Sequence, residues 1–486
     1  MKNICLYFEL HHPVKLRRYR FFDIGNDHYY YDDYANESTI NKLAHTCYLP
    51  TNKILTDMLK RFKGRFSVAF SISGTMLDQL KIYAPEVIDS FRAMAATGGV
   101  EFLAETNSSS LASTRNFDEF KRQIAAHVKN IEETFGQVPT TFRNTELIYS
   151  DEIGEAVAQM GFKAMLAEGA KQTLGWKSAN YVYCNSIDPR LKVLVRNYHL
   201  SDDIALRFSN QSWPEWPLTA QKFKGWLDGL DAKEEIVNLF MSYDTFGGVH
   251  SAESGIQEFL KALPEVLLED DKNYAFITPA KAAKTLQVVS ALNVPSATSW
   301  VDEERDLTAW LGNEMQNEAV DKLYALAPHM AQCTDEALLK DWQYLQSSEH
   351  FYYMGTKYFA NGSSRAYQSP YPTPYEAFIN YMNVLSDFAE RLNAVAPANT
   401  DTQVEALKAQ NDKLQNQLNE LEQQLIKVNI KEKPARKTAT RKSADSAEAQ
   451  ATEEKKPAKR TTRKKADDAA ADATEVKPKT SRAKKA

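Results

Sequence analysis

The 486-residue chain is 43% hydrophobic and 11% aromatic with a net charge of −5, enough apolar content to bury a large core and fill more than one domain. That composition excludes a wholly disordered protein, and no apolar run reaches the 18 residues a transmembrane helix needs. The opening MKNICLYFEL already carries Glu9 and lacks a long apolar run with a small-residue cleavage site, so no signal peptide and no membrane attachment are expected. Cys5, Cys47, Cys184 and Cys333 lie far apart without a C-x-x-C pair, as expected of buried, reduced thiols in a cytoplasmic protein. The nine histidines are scattered and show no H-E-x-x-H spacing, so no metal and no other cofactor is expected.

In chain order, ICLYFEL is an apolar strand that delivers Glu9, His11 and His12 to Pro13. The two histidines are either core hydrogen-bonding groups or site residues. RFFDIGNDHYYYDDY then sets aromatic faces among Asp and Asn, the mixture a sugar-binding cleft uses, although core packing is the commoner fate of any one aromatic. FSVAFSI reads as the next strand. In VEFLAETNSSSLA, Glu101 and Glu105 flank an apolar strand as salt-bridge partners or as ligands for substrate hydroxyls. Between Asp118 and Thr134, Phe120, Ile124, Val128 and Ile131 recur at helical spacing.

TTFRNTELIYSDEIG concentrates Arg143, Asn144 and Glu146 at a strand end, ahead of a helix starting near Ser150 with Asp151 and Glu152 in its first turn. An arginine beside Glu146 is expected to keep that carboxylate ionised, which suits a nucleophile more than an acid. The alternative is an ordinary Arg–Glu pair. FKAMLAE and LKVLVRNY read as strands, NQSWPEW supplies Trp213, and IVNLFMSY runs into FMSYDTFG. There Ser242 and Asp244 are expected on one strand face and Tyr243 on the other, with Phe246 beyond. Alternating strands and helices over this length predict an α/β fold with a parallel sheet, compatible with barrel closure, over residues 1–295.

Residues 296–395 read as helical throughout, clearest in LTAWLGNEMQNEAVDKLYALAP and DEALLKDWQYLQ. After the AVAPANTDT linker, at 396–430, Val404, Asn411, Leu418 and Leu425 hold heptad a positions and Leu407, Leu414, Leu421 and Val428 hold d. A lone Asn at a with mostly Leu at d predicts a parallel two-stranded coiled coil, hence a homodimer through 404–428; the alternative is a single helix on its own chain. The tail, 431–486, has 18 basic and 9 acidic residues, a charge of +9 that leaves −14 on the rest. It lacks core-forming residues and is expected to be disordered. It either contacts nucleic acid or another polyanion, or stays solvated beside its own acidic body.

Taken together, FELHHP, RRYRFFDIG, CYLPTN, FSISGT, VEFLAET, FRNTELIY, LSDDIALRFSNQSW, FMSYDTFG and HFYYMGTKYFANG resemble glycoside hydrolase family 57, in particular its α-amylase group, over about residues 1–390. The resemblance implies an incomplete (β/α)7 barrel followed by a helical domain, acting on α-1,4-glucans with retention. Retention needs two carboxyl groups about 5 Å apart. The nucleophile position falls on Glu146, and substrate contacts fall on His11, His12, Glu105, Arg143, Trp213 and Phe246. The proton donor, the first Asp of D-Y-E-T-F-G, falls on Ser242.

Three further departures accompany that serine. H-Q-P has His12 for Gln, E-T-Y-Y-H-S-L becomes ETNSSSL with Asn107, Ser108 and Ser109, and the G-E-H after Phe246 becomes Gly247, Gly248, Val249, His250, which puts the histidine out of register. A hydroxyl cannot donate a proton as a carboxylic acid does, and loss of general acid catalysis removes about 100- to 10,000-fold in rate. Asp244 is the candidate substitute acid, about 6.5 Å further along an extended strand. Two functional expectations follow: a weak α-amylase-type hydrolase or transferase, or a non-catalytic glucan-binding or regulatory protein that dimerises through its coiled coil.

Overall fold

The structure, a computed structural model, describes residues 1–269, 273–357 and 369–396 and, beyond them, only residues 411 and 415. Apart from those two positions, the coiled coil expected at 404–428 and the basic tail lie outside the described residues. Residues Met1–Gln403 form one compact unit.

Among the described residues ten strands carry the fold: β1 (Lys2–Leu10), β2 (Val68–Ile72), β3 (Val100–Phe102), β4 (Thr141–Arg143), β5 (Ala164–Glu168), β6 (Val182–Asn185), β7 (Lys192–Arg196), β8 (Ile236–Ser242), β9 (Tyr274–Phe276) and β10 (Val288–Leu292). They run in two sheets, β3-β2-β1-β8 with β9 also on β1, and β10-β6-β7-β5-β4. Among these pairs only β6–β7 is antiparallel. At one edge the sheets join through a parallel bridge, with Ala104 N–H donating to Thr141 O at 2.9 Å and Arg143 N–H donating to Ala104 O at 2.8 Å. At the other edge Asn197 N–H donates to Asn238 O at 2.9 Å. The circuit β1, β2, β3, β4, β5, β7, β8 fits the expected (β/α)7 barrel.

Both faces of β1 are covered, which is why it reads as a continuous apolar run. Ile4, Leu6, Phe8 and Leu10 pack into one cluster with Ile40, Leu55 and Leu260 from surrounding helices. Cys5 and Tyr7 face the other way, into a cluster with Phe142, Leu166, Phe240 and Trp300. The amphipathic stretch expected at 118–134 is a helix over Phe117–Phe135, capped by Asn116, whose side chain accepts from Glu119 N–H, and closed by Gly136 at φ 69°.

Beyond residue 300, helices Glu314–Ala325, Glu336–Leu345, Ser348–Tyr352 and Pro374–Val395 follow. Their Trp342, Tyr381 and Phe388 belong to the same cluster as Phe142 and Leu166, so this half extends the barrel's core. All four cysteines are buried and free. Among the described residues, no helix is long and apolar enough to cross a membrane.

Candidate active site

The strand ends converge on a buried ionic floor. Parallel register sets Glu9 of β1 beside Ser71 of β2 and Ser242 of β8. Arg143, fully buried at the end of β4, donates from Nη1 to Glu9 Oε1 at 2.9 Å, from Nε to Ser71 Oγ at 3.0 Å, and from Nη2 to Glu105 Oε2. A second buried arginine, Arg196 of β7, donates to Phe240 O at 2.9 Å, to Glu168 at 3.2 Å and to Asp202. Its guanidinium lies 5.1 Å over the Trp300 ring. Buried charge is tolerable only when paired in this way.

Glu146 lies in the turn after β4. Its backbone is left-handed, at φ 53° and ψ 28°, and Leu147 follows at φ 54°. A non-glycine residue is strained there, and such strain persists where the surroundings fix it. Trp300 does the fixing: its N–H donates to Glu146 O at 3.1 Å and its Nε1 donates to Oε2. The side chain is buried, 1% exposed. Burial, then the charge of Glu349, pushes its carboxyl up to about 8, against smaller downward pulls from Trp300 and Arg143. The expectation that Arg143 keeps Glu146 ionised is thus overturned, because the guanidinium bonds Glu9 and Glu105 instead. Glu349 arrives from helix Ser348–Tyr352 and meets His11 Nε2 at 3.0 Å. Burial works to raise Glu349, but His11 holds it below the ordinary carboxylate value.

Above this floor opens a cleft of about 470 Å3, lined by His11, His12, Arg196, Asp202, Ser242, Asp244 and Trp300 among others. β8 ends at Ser242, and Tyr243–Thr245 form a 3-10 turn in which Ser242 Oγ accepts from Asp244 N–H at 3.4 Å. The turn draws Asp244 back toward Ser242, short of the about 6.5 Å that a continued extended strand would give. Asp244 Oδ2 is 2.8 Å from His12 Nε2, and Oδ1 accepts from Tyr48 OH at 2.8 Å. Tyr243 turns away into the aromatic core, 5.2 Å from Phe8 and 5.3 Å from Phe70.

Comparison with known proteins bears on this arrangement. The profile of Glycosyl hydrolase family 57 matches residues 5–295. The chain belongs to glycosyl hydrolase family 57. A Methanocaldococcus jannaschii protein named "Putative alpha-amylase" is 36% identical over 398 residues, covering 79% of this chain and 84% of that one. Solved structures share the fold: a family 57 branching enzyme of Thermococcus kodakaraensis (TM-score 0.60, 12% identity, 84% of this chain and 94% of the other) and the α-amylase AmyC of Thermotoga maritima (TM-score 0.55, 12%, 82% and 95%). The 4-α-glucanotransferase of Thermococcus litoralis also matches (TM-score 0.56, 13%), over 72% of this chain and 56% of that longer one.

Against the family 57 motifs, His11, His12, Ser242 and Asp244 meet at the cleft, while Glu146, Arg143 and Glu105 lie buried, Arg143 and Glu105 in the ionic floor. Of the six expected substrate contacts only His11 and His12 line the cleft, and besides Arg143 and Glu105 two more lie elsewhere. Phe246 is 1% exposed and packs on Phe8 at 5.4 Å, and Trp213 packs on Trp226 at 6.1 Å in the outer cluster. For both, apolar packing decided the position. His250 is a core residue, bonded to Ser209 Oγ at 2.8 Å and Ala205 O at 3.0 Å.

Asn107, Ser108 and Ser109 are buried as well. Ser108 O accepts from Ser347 Oγ at 3.1 Å, and Ser109 O accepts from Ser348 N–H at 3.0 Å. Ser108 and Ser109 thus seat the helix that brings Glu349, while Asn107 Oδ1 accepts from Asn130 Nδ2 at 2.9 Å, so these departures from the family belong to buried packing. Sequence reasoning missed Trp300, Glu349, Arg196 and Tyr48. Tyr48 and Arg196 sat inside the quoted segments CYLPTN and LKVLVRNY, and Glu349 lay one residue before the aromatic HFYYM.

Proposed function

We propose that this protein is a slow retaining enzyme acting on α-1,4-glucans, with Glu146 as nucleophile. The observation that carries the proposal is the held geometry of Glu146: a strained left-handed backbone and a carboxyl oxygen pinned by Trp300, a residue that itself lines the cleft. Strain of this kind fits pre-organisation for attack. The names of the Methanocaldococcus jannaschii relative and of the Thermotoga structure support a substrate of this class. In the first step a Glu146 carboxylate oxygen bonds the anomeric carbon as the glycosidic oxygen leaves, and in the second water releases the sugar with retention.

Slowness follows from two features. The donor position holds Ser242, and with the carboxyl of Glu146 at about 8, roughly one molecule in ten has the nucleophile ionised at pH 7. A second reading, a glucan-binding protein without turnover, is favoured by the same serine. The test is incubation with a long maltooligosaccharide, with Glu146→Gln and Ser242→Asp beside the native protein. Turnover that vanishes in Glu146→Gln supports the enzyme. Silence of the native protein, with activity appearing in Ser242→Asp, means a site switched off at one residue. Silence in all three leaves the binding role. The homodimer through 404–428 and the polyanion contact of the tail belong to this proposal too. Sedimentation of the full chain beside one ending at residue 403, with and without DNA at rising salt, checks both.

A further inference from the structure

The cleft holds a histidine–carboxylate pair beside the position where the family's acid is replaced by Ser242. β1 and β8 leave the sheet side by side, in the register Glu9 to Ser242, so the residues just beyond them meet. His12 stands where the family motif has Gln, and Asp244 where it has Glu, two residues past the serine that replaces Asp. Those three positions form one contact group: His12 Nε2 lies 2.8 Å from Asp244 Oδ2, and Ser242 Oγ accepts from the backbone N–H of Asp244. Asp244 is anchored on its far oxygen by Tyr48 OH at 2.8 Å.

The Asp244 carboxylate accepts from Nε2 and so fixes that nitrogen as the one carrying hydrogen, the role an orienting carboxylate plays for a general-base histidine. Nδ1 of His12 has no protein partner among the described residues. The two side chains are 19% and 18% exposed, both on the cleft wall, so substrate can reach them.

The geometry points to His12, oriented by Asp244, as the general acid and base of this active site, a proposal that rests on the enzyme reading above. In the first half-reaction the imidazolium proton on Nδ1 passes to the glycosidic oxygen. The bond from that oxygen to the anomeric carbon breaks with its electron pair going to the oxygen, and a Glu146 oxygen takes the carbon. In the second half-reaction neutral Nδ1 takes a proton from water as the water oxygen adds to the anomeric carbon. The ester to Glu146 breaks, returning the carboxylate and the imidazolium.

The test compares a substrate whose departure needs a proton with one whose departure does not: maltoheptaose and α-maltosyl fluoride. His12→Gln, which installs the family's residue, is expected to lower kcat/KM on maltoheptaose by about 100-fold or more and on the fluoride by less than about 3-fold. Sodium azide, which needs no base, is expected to speed its turnover of the fluoride and yield maltosyl azide of retained configuration. Asp244→Asn is expected to show the same split between substrates, weaker in size, and circular dichroism confirms that both variants are folded. Equal losses on the two substrates, or no loss on either, in both variants overturn the assignment of His12 while leaving the enzyme reading standing. Silence of the native protein on both substrates overturns the enzyme reading and this assignment with it.

Discussion

At the scale of single residues, Glu146 holds a position that costs stability. Its carboxyl moves from an ordinary 4.5 up to about 8, so the folded state binds the proton more tightly than the unfolded chain does. That contribution is present below pH 4.5 and is lost as pH rises through 8. Glu146→Gln, which carries no charge at any pH, should therefore melt higher than the native protein by a margin that opens between about pH 4.5 and 8 and is flat outside that window. A pH-independent difference in Tm would contradict this. The same carboxyl predicts an acidic limb near pH 8 in kcat/KM, and Glu349→Gln, by removing the neighbouring charge, should move that limb downward without reaching 4.5, because burial is the larger cause. Glu146 itself was legible from the sequence as a carboxylate at a strand end beside Arg143. Its electrostatics were not, because three positions along a chain do not say which way a guanidinium points, and Arg143 points into the barrel.

At the scale of elements, the barrel strands were legible as apolar runs, and the ends of those runs marked where polar side chains gather. The ionic floor follows from the strands' register: β1, β2 and β4 each deliver one member of the Glu9, Ser71 and Arg143 group. Arg143→Met leaves Glu9 and Glu105 buried without their cation, and an uncompensated buried charge costs about 3–5 kcal/mol. Urea unfolding should show that loss as a lower midpoint with an unchanged slope. A loss under about 1 kcal/mol would mean that the floor is more hydrated than its burial indicates. What periodicity could not supply was the 3-10 turn after β8. Strand alternation reads Ser242 and Asp244 on one face, and both do line the cleft, but the turn is what brings Asp244 close enough to bond His12. The misplaced aromatics have a similar origin, since Phe246 and Trp213 read alike as cleft or core until the residues they pack against are in place.

At the scale of the whole molecule, the helical half and the barrel share a core, and the seam from Ser108 and Ser109 to Ser347 and Ser348 carries Glu349 to the floor. Trp342, fully buried in that shared core, is the place to probe it. Trp342→Ala should cost about 3–5 kcal/mol and lower one common melting transition, followed alike by far-ultraviolet dichroism and tryptophan fluorescence. Two separated transitions would show that the halves unfold independently. This sharing was invisible in the sequence, where the change from alternating to all-helical pattern looks like a domain boundary. The arrangement of β1 also sets when the protein can form. β1 is made well before its partner β8, which lies about 230 positions later. At synthesis rates of about 5–20 residues per second, the edge of β1 that takes β8 waits on the order of ten to fifty seconds for its neighbour, while β2 covers the other edge sooner. The chain therefore has to be born slowly folding and guarded, and its cleft, which also needs residue 349, is among the last parts to exist.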